Sequence, residues 1–164
     1  MLGDSDQNQY SFENKVRVRV CGILKDTKGT LLLKHKGIGK AGYLWSPPGG
    51  GVEFGDSLIN TLVREFKEET NLDIEVGEFL FTNEHIDSTH HALEFFFRVK
   101  QVSGSLLLGF DPELAASKQI LTDAKFFSTE ELNQLPGNAL HSAFLLAKTR
   151  DKIDDLRGLI TFKD

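Results

Sequence analysis

At 164 residues, 40% of them hydrophobic and 26% charged, the chain suits one soluble domain with a real core. Its net charge of −5 disfavours a general nucleic-acid binder, which carries a basic patch or stripe, but leaves room for a small anionic ligand held through a metal ion or a local basic cluster. The single cysteine, Cys21, excludes an intrachain disulfide, and no apolar run approaches the ~20 residues of a membrane span.

Residues 1–13, MLGDSDQNQYSFE, read as a polar arm. They lack the basic and apolar segments of a secretory signal, and with one thiol the chain fits a reducing, cytoplasmic setting. Residues 14–164 show no internal repeat or low-complexity linker and are expected to form one domain. Lys15–Leu24 alternates apolar and basic residues, which predicts a strand. Asp26–Gly29 is a turn, and Thr30–Lys36 returns as a second strand of a hairpin. Gly37–Tyr43 is a glycine-rich loop. LWSPPGGGVEF is short and extended, broken by Pro47 and Pro48. Asp56 or Ser57 then caps a helix whose apolar stripe is Leu58, Ile59, Leu62, Val63 and Phe66. Strands are expected at Asp73–Thr82 and His91–Val102, followed by a loop over Ser103–Ser117 with an apolar patch at Leu106–Phe110. AKFFS is a short strand. Ser128–Glu131 is a capping box opening a short helix that Pro136 closes, and Ala139–Arg150 reads as a last helix. Strands and helices mix without regular alternation, so an α+β fold with helices on a mixed sheet is expected, not a doubly wound parallel one.

The first helix breaks local rules. At 100° per residue, Glu65 and Glu69 lie along one edge of its apolar stripe and Glu68 a little further toward solvent. These like charges are i,i+3 and i,i+4 neighbours, costing a few tenths of a kcal/mol per pair. They also occupy the last turns, where the helix dipole disfavours anions by about 0.3–1 kcal/mol each. A divalent cation would relieve both penalties. Alone, REFKEE reads as a solvated face before it reads as a site, with Arg64 pairing Glu68. The run Gly49-Gly50-Gly51 before the helix adds a backbone able to approach a ligand closely.

Together, Gly50, Arg64, Glu65, Phe66, Glu68, Glu69 and Leu72 fall in the register G-x5-E-x7-R-E-U-x-E-E-x-G-U, with U bulky and apolar, and the segment resembles the Nudix hydrolase box. Asp56 stands where the family has Glu, one methylene shorter toward Arg64. Asn71 stands where it has Gly, and Asn is the best substitute at a left-handed helix end. The preceding hairpin, the Trp45–Gly50 entry and the late FFSTEEL segment extend the resemblance over roughly residues 15–150. It implies an α/β/α sandwich with the mixed sheet between helices. It also implies hydrolysis of a nucleoside diphosphate linked to another moiety, by water attack on phosphorus with Mg²⁺ or Mn²⁺. By position, Glu65, Glu68 and Glu69 would be the carboxylate ligands and the Gly49 carbonyl a backbone ligand. Glu65 and Glu69 are candidate bases within the box. Glu94, a lone acid in an apolar strand, is the candidate outside it, or else an outward-facing strand residue. Arg64 completes the catalytic set by holding the box carboxylates in place.

Other residues carry weaker signals. Arg17 and Arg19 share one face of the first strand, toward phosphates or toward solvent. Trp45 reads as core and Tyr43 as surface or base-stacking. Cys21 reads as a small buried hydrophobe, and the five histidines show no zinc-ligand spacing. The region TNEHIDSTHH has neither the proline that suggests ADP-ribose nor the tyrosine that suggests dinucleoside polyphosphates, and the upstream coenzyme A signature is missing. Nucleoside triphosphates, nucleotide sugars and ADP-ribose all stay open. The expected partner is thus a small nucleotide diphosphate compound, with no nucleic-acid polymer and no membrane; a homodimer is compatible with this. The alternative is a Nudix-fold module that binds a nucleotide metabolite without turnover, although such modules commonly lose box carboxylates and this chain keeps them. A plain structural domain is the third reading.

Overall fold

The computed structural model describes residues 15–110, 112 and 115–163; the expected arm at 1–13 lies outside them. The described strands are β1 (Val16–Asp26), β2 (Gly29–Lys36), β3 (Tyr43–Ser46), β4 (Gly49–Gly51), β5 (Asp73–Ile86), β6 (His91–Ser103), β7 (Leu121–Phe127) and β8 (Gly158–Lys163). The helices are α1 (Leu58–Thr70), α2 (Thr129–Gln134) and α3 (Ala143–Leu146), with 3-10 turns at Ala116–Lys118, Gly137–Ala139 and Arg150–Asp155.

The sheet is mixed, as expected. Its path is β3-β2-β1-β6-β5-β8, with β4 added on β1 and β7 on β2. β1 and β6 run parallel from Val16↔His91 to Leu24↔Val99, while β5 and β6 are antiparallel. The β1–β2 hairpin pairs only at its tip, Lys25↔Thr30 and Asp26↔Gly29. Beyond that tip β2 leaves β1 and pairs with β3 and β7.

Strand alternation puts an apolar cluster on each side of the sheet. Val20 and Leu24 of β1 meet Leu62 and Phe66 of α1 on one side. Cys21 and Ile23 meet Leu132 of α2 and Ala143 and Phe144 of α3 on the other. Helical layers therefore flank the sheet, the sandwich the sequence implied. The stripe of α1 is narrower than expected: Leu62 and Phe66 are fully buried, whereas Ile59 and Val63 are exposed.

Two elements differ from the sequence expectation. The helix expected over Ala139–Arg150 is broken, and only Ala143–Leu146 is α-helical. Leu140 is extended and bridges Trp45, and the His141 amide donates to the Trp45 carbonyl at 2.9 Å. These tertiary bonds outweigh helix propensity. β8 lies beyond Ala139–Arg150, the last element read from the sequence. It runs parallel to β5 along its outer edge, from Phe81↔Gly158 to Ile86↔Lys163.

Candidate active site

The site begins with how α1 is fixed. The Asn60 amide donates to the Ser57 hydroxyl at 3.1 Å, capping the N-terminus. Asn71 ends the helix in the left-handed conformation, φ 60°, the geometry anticipated for Asn in place of Gly. Asp56 does not reach for Arg64; it accepts from the Ser57 amide at 2.8 Å and the Thr61 hydroxyl at 3.0 Å.

So anchored, α1 lays its glutamates against the glycine strand. β4 pairs with β1 through Cys21↔Gly49, Val20↔Gly50 and Arg19↔Gly51. The Gly49 amide donates to Glu69 Oε2 at 3.0 Å, and Glu69 is only 8% exposed. Glu65 presses on Gly50 so closely that a Cβ there would lie 2.3 Å from its Oε1. Arg64 gathers the other contacts, with Nη2 3.1 Å from Glu65 Oε1 and Nη1 donating to Glu68 Oε2 at 3.1 Å. The structure thus brings Gly49, Gly50, Arg64, Glu65, Glu68 and Glu69 together.

Oxygen donors of this kind suit a hard divalent cation, and the missing Cβ at Gly50 leaves Glu65 the room to lie on the strand. Among the described residues, no three acidic or imidazole side chains converge as a closed cation cage. The three carboxylates have other partners: Arg64 pairs with Glu65 and Glu68, while the Gly49 amide holds Glu69. A cation would compete with Arg64 for two of the three carboxylates.

Glu94 belongs to a second polar cluster. It is buried, its Oε2 accepting from Asn83 Nδ2 at 2.9 Å and lying 3.0 Å from His141 Nε2, with its Oε1 3.6 Å from Arg19 Nε. Burial alone would raise its pKa, but His141, Arg19 and Asn83 bring it down to about 2. The Ala143 amide donates to His141 Nδ1 at 3.2 Å, so Nε2 carries the proton and donates to Glu94. Sequence reasoning missed His141 and Asn83. His141 was one of several histidines without ligand spacing, and Asn83 carried no signal. Arg17 and Arg19 do share a face, and Arg19 turns onto Glu94.

Nearby, His35 Nδ1 sits 3.3 Å from the Ser46 hydroxyl. Burial, helped by the charge of Arg19, pushes its pKa down to about 4. The unfolded chain therefore takes up this proton near pH 6.5 while the folded one resists it. The stability this confers is present above about pH 6.5 and is lost as pH falls from there toward 4. Urea unfolding at pH 7 and pH 5 is expected to show lower stability at pH 5, and His35→Gln to flatten that slope. An unchanged slope would assign the acid sensitivity to other groups.

Trp45 is core, edge-on to Phe127 at 4.7 Å. Tyr43 is half-buried beneath the ammonium of Lys34 at 4.5 Å. Burial pushes the Cys21 thiol well above its usual range, so it is inert packing.

The same architecture recurs in known proteins. The NUDIX domain model matches residues 15–147. An ADP-ribose pyrophosphatase of Methanocaldococcus jannaschii is 31% identical over 133 residues, covering 80% of this chain and 71% of that protein. The crystal structure of a MutT protein from Methanosarcina mazei aligns with a TM-score of 0.64 at 19% identity, over 85% of this chain and 91% of that one. A MutT Nudix hydrolase of Burkholderia pseudomallei aligns with a TM-score of 0.64 at 23% identity, over 79% and 93%. At these identities the two structures speak to the fold, while the family model covers most of the chain, box and flanks alike. The chain belongs to the Nudix hydrolase family.

Proposed function

We propose that this chain is a pyrophosphohydrolase that cleaves the diphosphate of a nucleoside diphosphate linked to another moiety, with Mg²⁺ or Mn²⁺ held by Glu65, Glu68, Glu69 and the Gly49 carbonyl. The observation that carries this reading is the packing of the glutamate helix on the glycine strand. There, a buried carboxylate, Glu69, takes the Gly49 amide, and Glu65 fills the space of a missing Cβ. When bound, such cations neutralise the diphosphate and lower the pKa of an attacking water.

The remaining work falls to the chain. Glu69, desolvated beside the strand, is the stronger candidate to take the proton as water oxygen bonds to phosphorus. The bridging P–O bond breaks, and the leaving phosphate departs with the bridging oxygen. Glu65 is the second candidate for the base. Arg64 holds Glu65 and Glu68 in reach of the glycine strand. Glu94, kept ionised and clamped by Asn83 and His141, is a poor proton acceptor, and we assign it a positioning role.

ADP-ribose is the first substrate to test, since the Methanocaldococcus relative carries that name; nucleotide sugars and nucleoside triphosphates complete the panel. Hydrolysis with Mg²⁺ or Mn²⁺ is expected, followed by release of a nucleotide and a second phosphorylated product. Chelator should abolish it and either cation restore it. Activity surviving exhaustive chelation would overturn the metal assignment. Binding without turnover across the panel would favour the non-hydrolytic module.

A further inference from the structure

We propose that Arg19 is the cation that engages the substrate's diphosphate, and that Glu94 acts by positioning Arg19. This rests on the hydrolase reading above. The box offers an anionic substrate mainly carboxylates, and its one arginine, Arg64, is committed to Glu65 and Glu68.

Arg19 occupies the right place. Across three adjacent strands it lies in register between Gly51 of β4 and Glu94 of β6. Burial works against its charge, and the carboxylates of Glu94, Glu69 and Glu65 favour it. The guanidinium is therefore within electrostatic reach of both the box and the second cluster. Its Nε is buried, makes no hydrogen bond among the described residues and stands 3.6 Å from Glu94 Oε1. That gap exceeds a hydrogen bond, so the pair orients the guanidinium without consuming its donors. The side chain keeps 28% of its surface exposed.

Glu94 is built to hold still. Both its Oε2 contacts come from side chains that are themselves buried, Asn83 and His141. The His141 ring is fixed by the Ala143 amide and by Phe96 edge-on at 5.6 Å. An ion pair needed only for folding would not require so rigid a carboxylate beside a half-open arginine. A planar fork aimed at phosphate oxygens does require it.

The test uses Arg19→Lys, Glu94→Gln and the double variant. Binding of α,β-methylene-ADP, which cannot be hydrolysed at that linkage, is measured by calorimetry in EDTA; kinetics with the hydrolysed substrate follow. Arg19→Lys keeps the charge but loses the fork, and is expected to raise Kd about tenfold or more and to raise KM more than it lowers kcat. Glu94→Gln should raise Kd several-fold. The double variant should bind no more weakly than Arg19→Lys, because Glu94 acts through Arg19. If Glu94→Gln fails to fold, His141→Gln replaces it with the same expectation. Arg19→Lys binding within twofold of wild type would overturn the proposal, as would a Glu94 effect that persists in the Arg19→Lys background. Wild-type hydrolysis alongside an unaffected Arg19→Lys sinks this inference alone. Arg19-dependent binding without any hydrolysis sinks the turnover reading and keeps the diphosphate contact.

Discussion

Glu69→Gln is expected to lower turnover by about 10²–10⁴-fold while leaving the fold in place. Glu69 is buried and accepts the Gly49 amide through Oε2. Glutamine has the same length and its carbonyl can accept that bond, so helix and strand stay joined. What it removes is the negative charge that a cation needs and the basicity that a water proton needs. Steady-state kinetics at saturating Mg²⁺, beside urea unfolding in EDTA, separate the two effects. A variant within a few-fold of wild type would take Glu69 out of the chemistry. Glu94→Gln is the matched control and is expected to act on KM. If it alone abolished turnover at saturating substrate, the base would lie outside the box.

The two glycines that face these glutamates should fail in different ways. Gly49 has φ +152°, and a Cβ there would sit 2.1 Å from the Val20 carbonyl oxygen, a backbone atom that cannot step aside. Gly49→Ala is therefore expected to cost at least about 3 kcal/mol of stability. At Gly50 the obstacle is the end of the Glu65 side chain, 2.3 Å from the added Cβ at Oε1. That side chain can swing away. Gly50→Ala should cost about 1 kcal/mol of stability but on the order of 10² in activity, because Glu65 leaves its post. Unfolding curves and kcat/KM for both proteins check this. Equal stability losses, or an active Gly50→Ala enzyme, would mean that the close packing does not serve the site.

Much of this was legible in the chain because local rules and tertiary structure agree there. Ser57, Leu62, Phe66 and Asn71 specify α1 through capping, periodicity and a left-handed stop, each of which acts within a few residues. The capping box at Ser128 and Glu131 formed for the same reason. The box carboxylates were readable because they violate local preference, and such breaks cluster where chemistry is selected. What stayed hidden depends on partners distant in sequence. Leu140 and His141 leave a helical pattern because Trp45 offers them strand-type bonds. β8 takes its pairing from β5, more than 70 residues earlier. The Arg19–Glu94–His141 cluster needs the β1–β6 register and the α3 segment at once. No periodicity in any one of the three segments announces that meeting.

The connection after β6 returns to the end of α1. Leu107 and Gly109 donate their amides to the carbonyls of Thr70 and Glu69 at 3.0 and 2.8 Å. A Cβ at Gly109 would fall 1.7 Å from the Glu68 carbonyl oxygen. These carbonyls are among those that make a helix C-terminus hostile to carboxylates. With donors supplied from outside, the negative pole is partly discharged where Glu68 and Glu69 must sit. The loop and the box are thus mechanically in series, although some 40 residues separate Glu69 from Gly109 in the sequence. Shortening or lengthening the stretch between Gly104 and Gly109 would pull those amides off the helix and raise the electrostatic tension on the glutamates. Freedom to vary in that segment lies in its side chains, and its length is set by the charge of a helix it does not belong to.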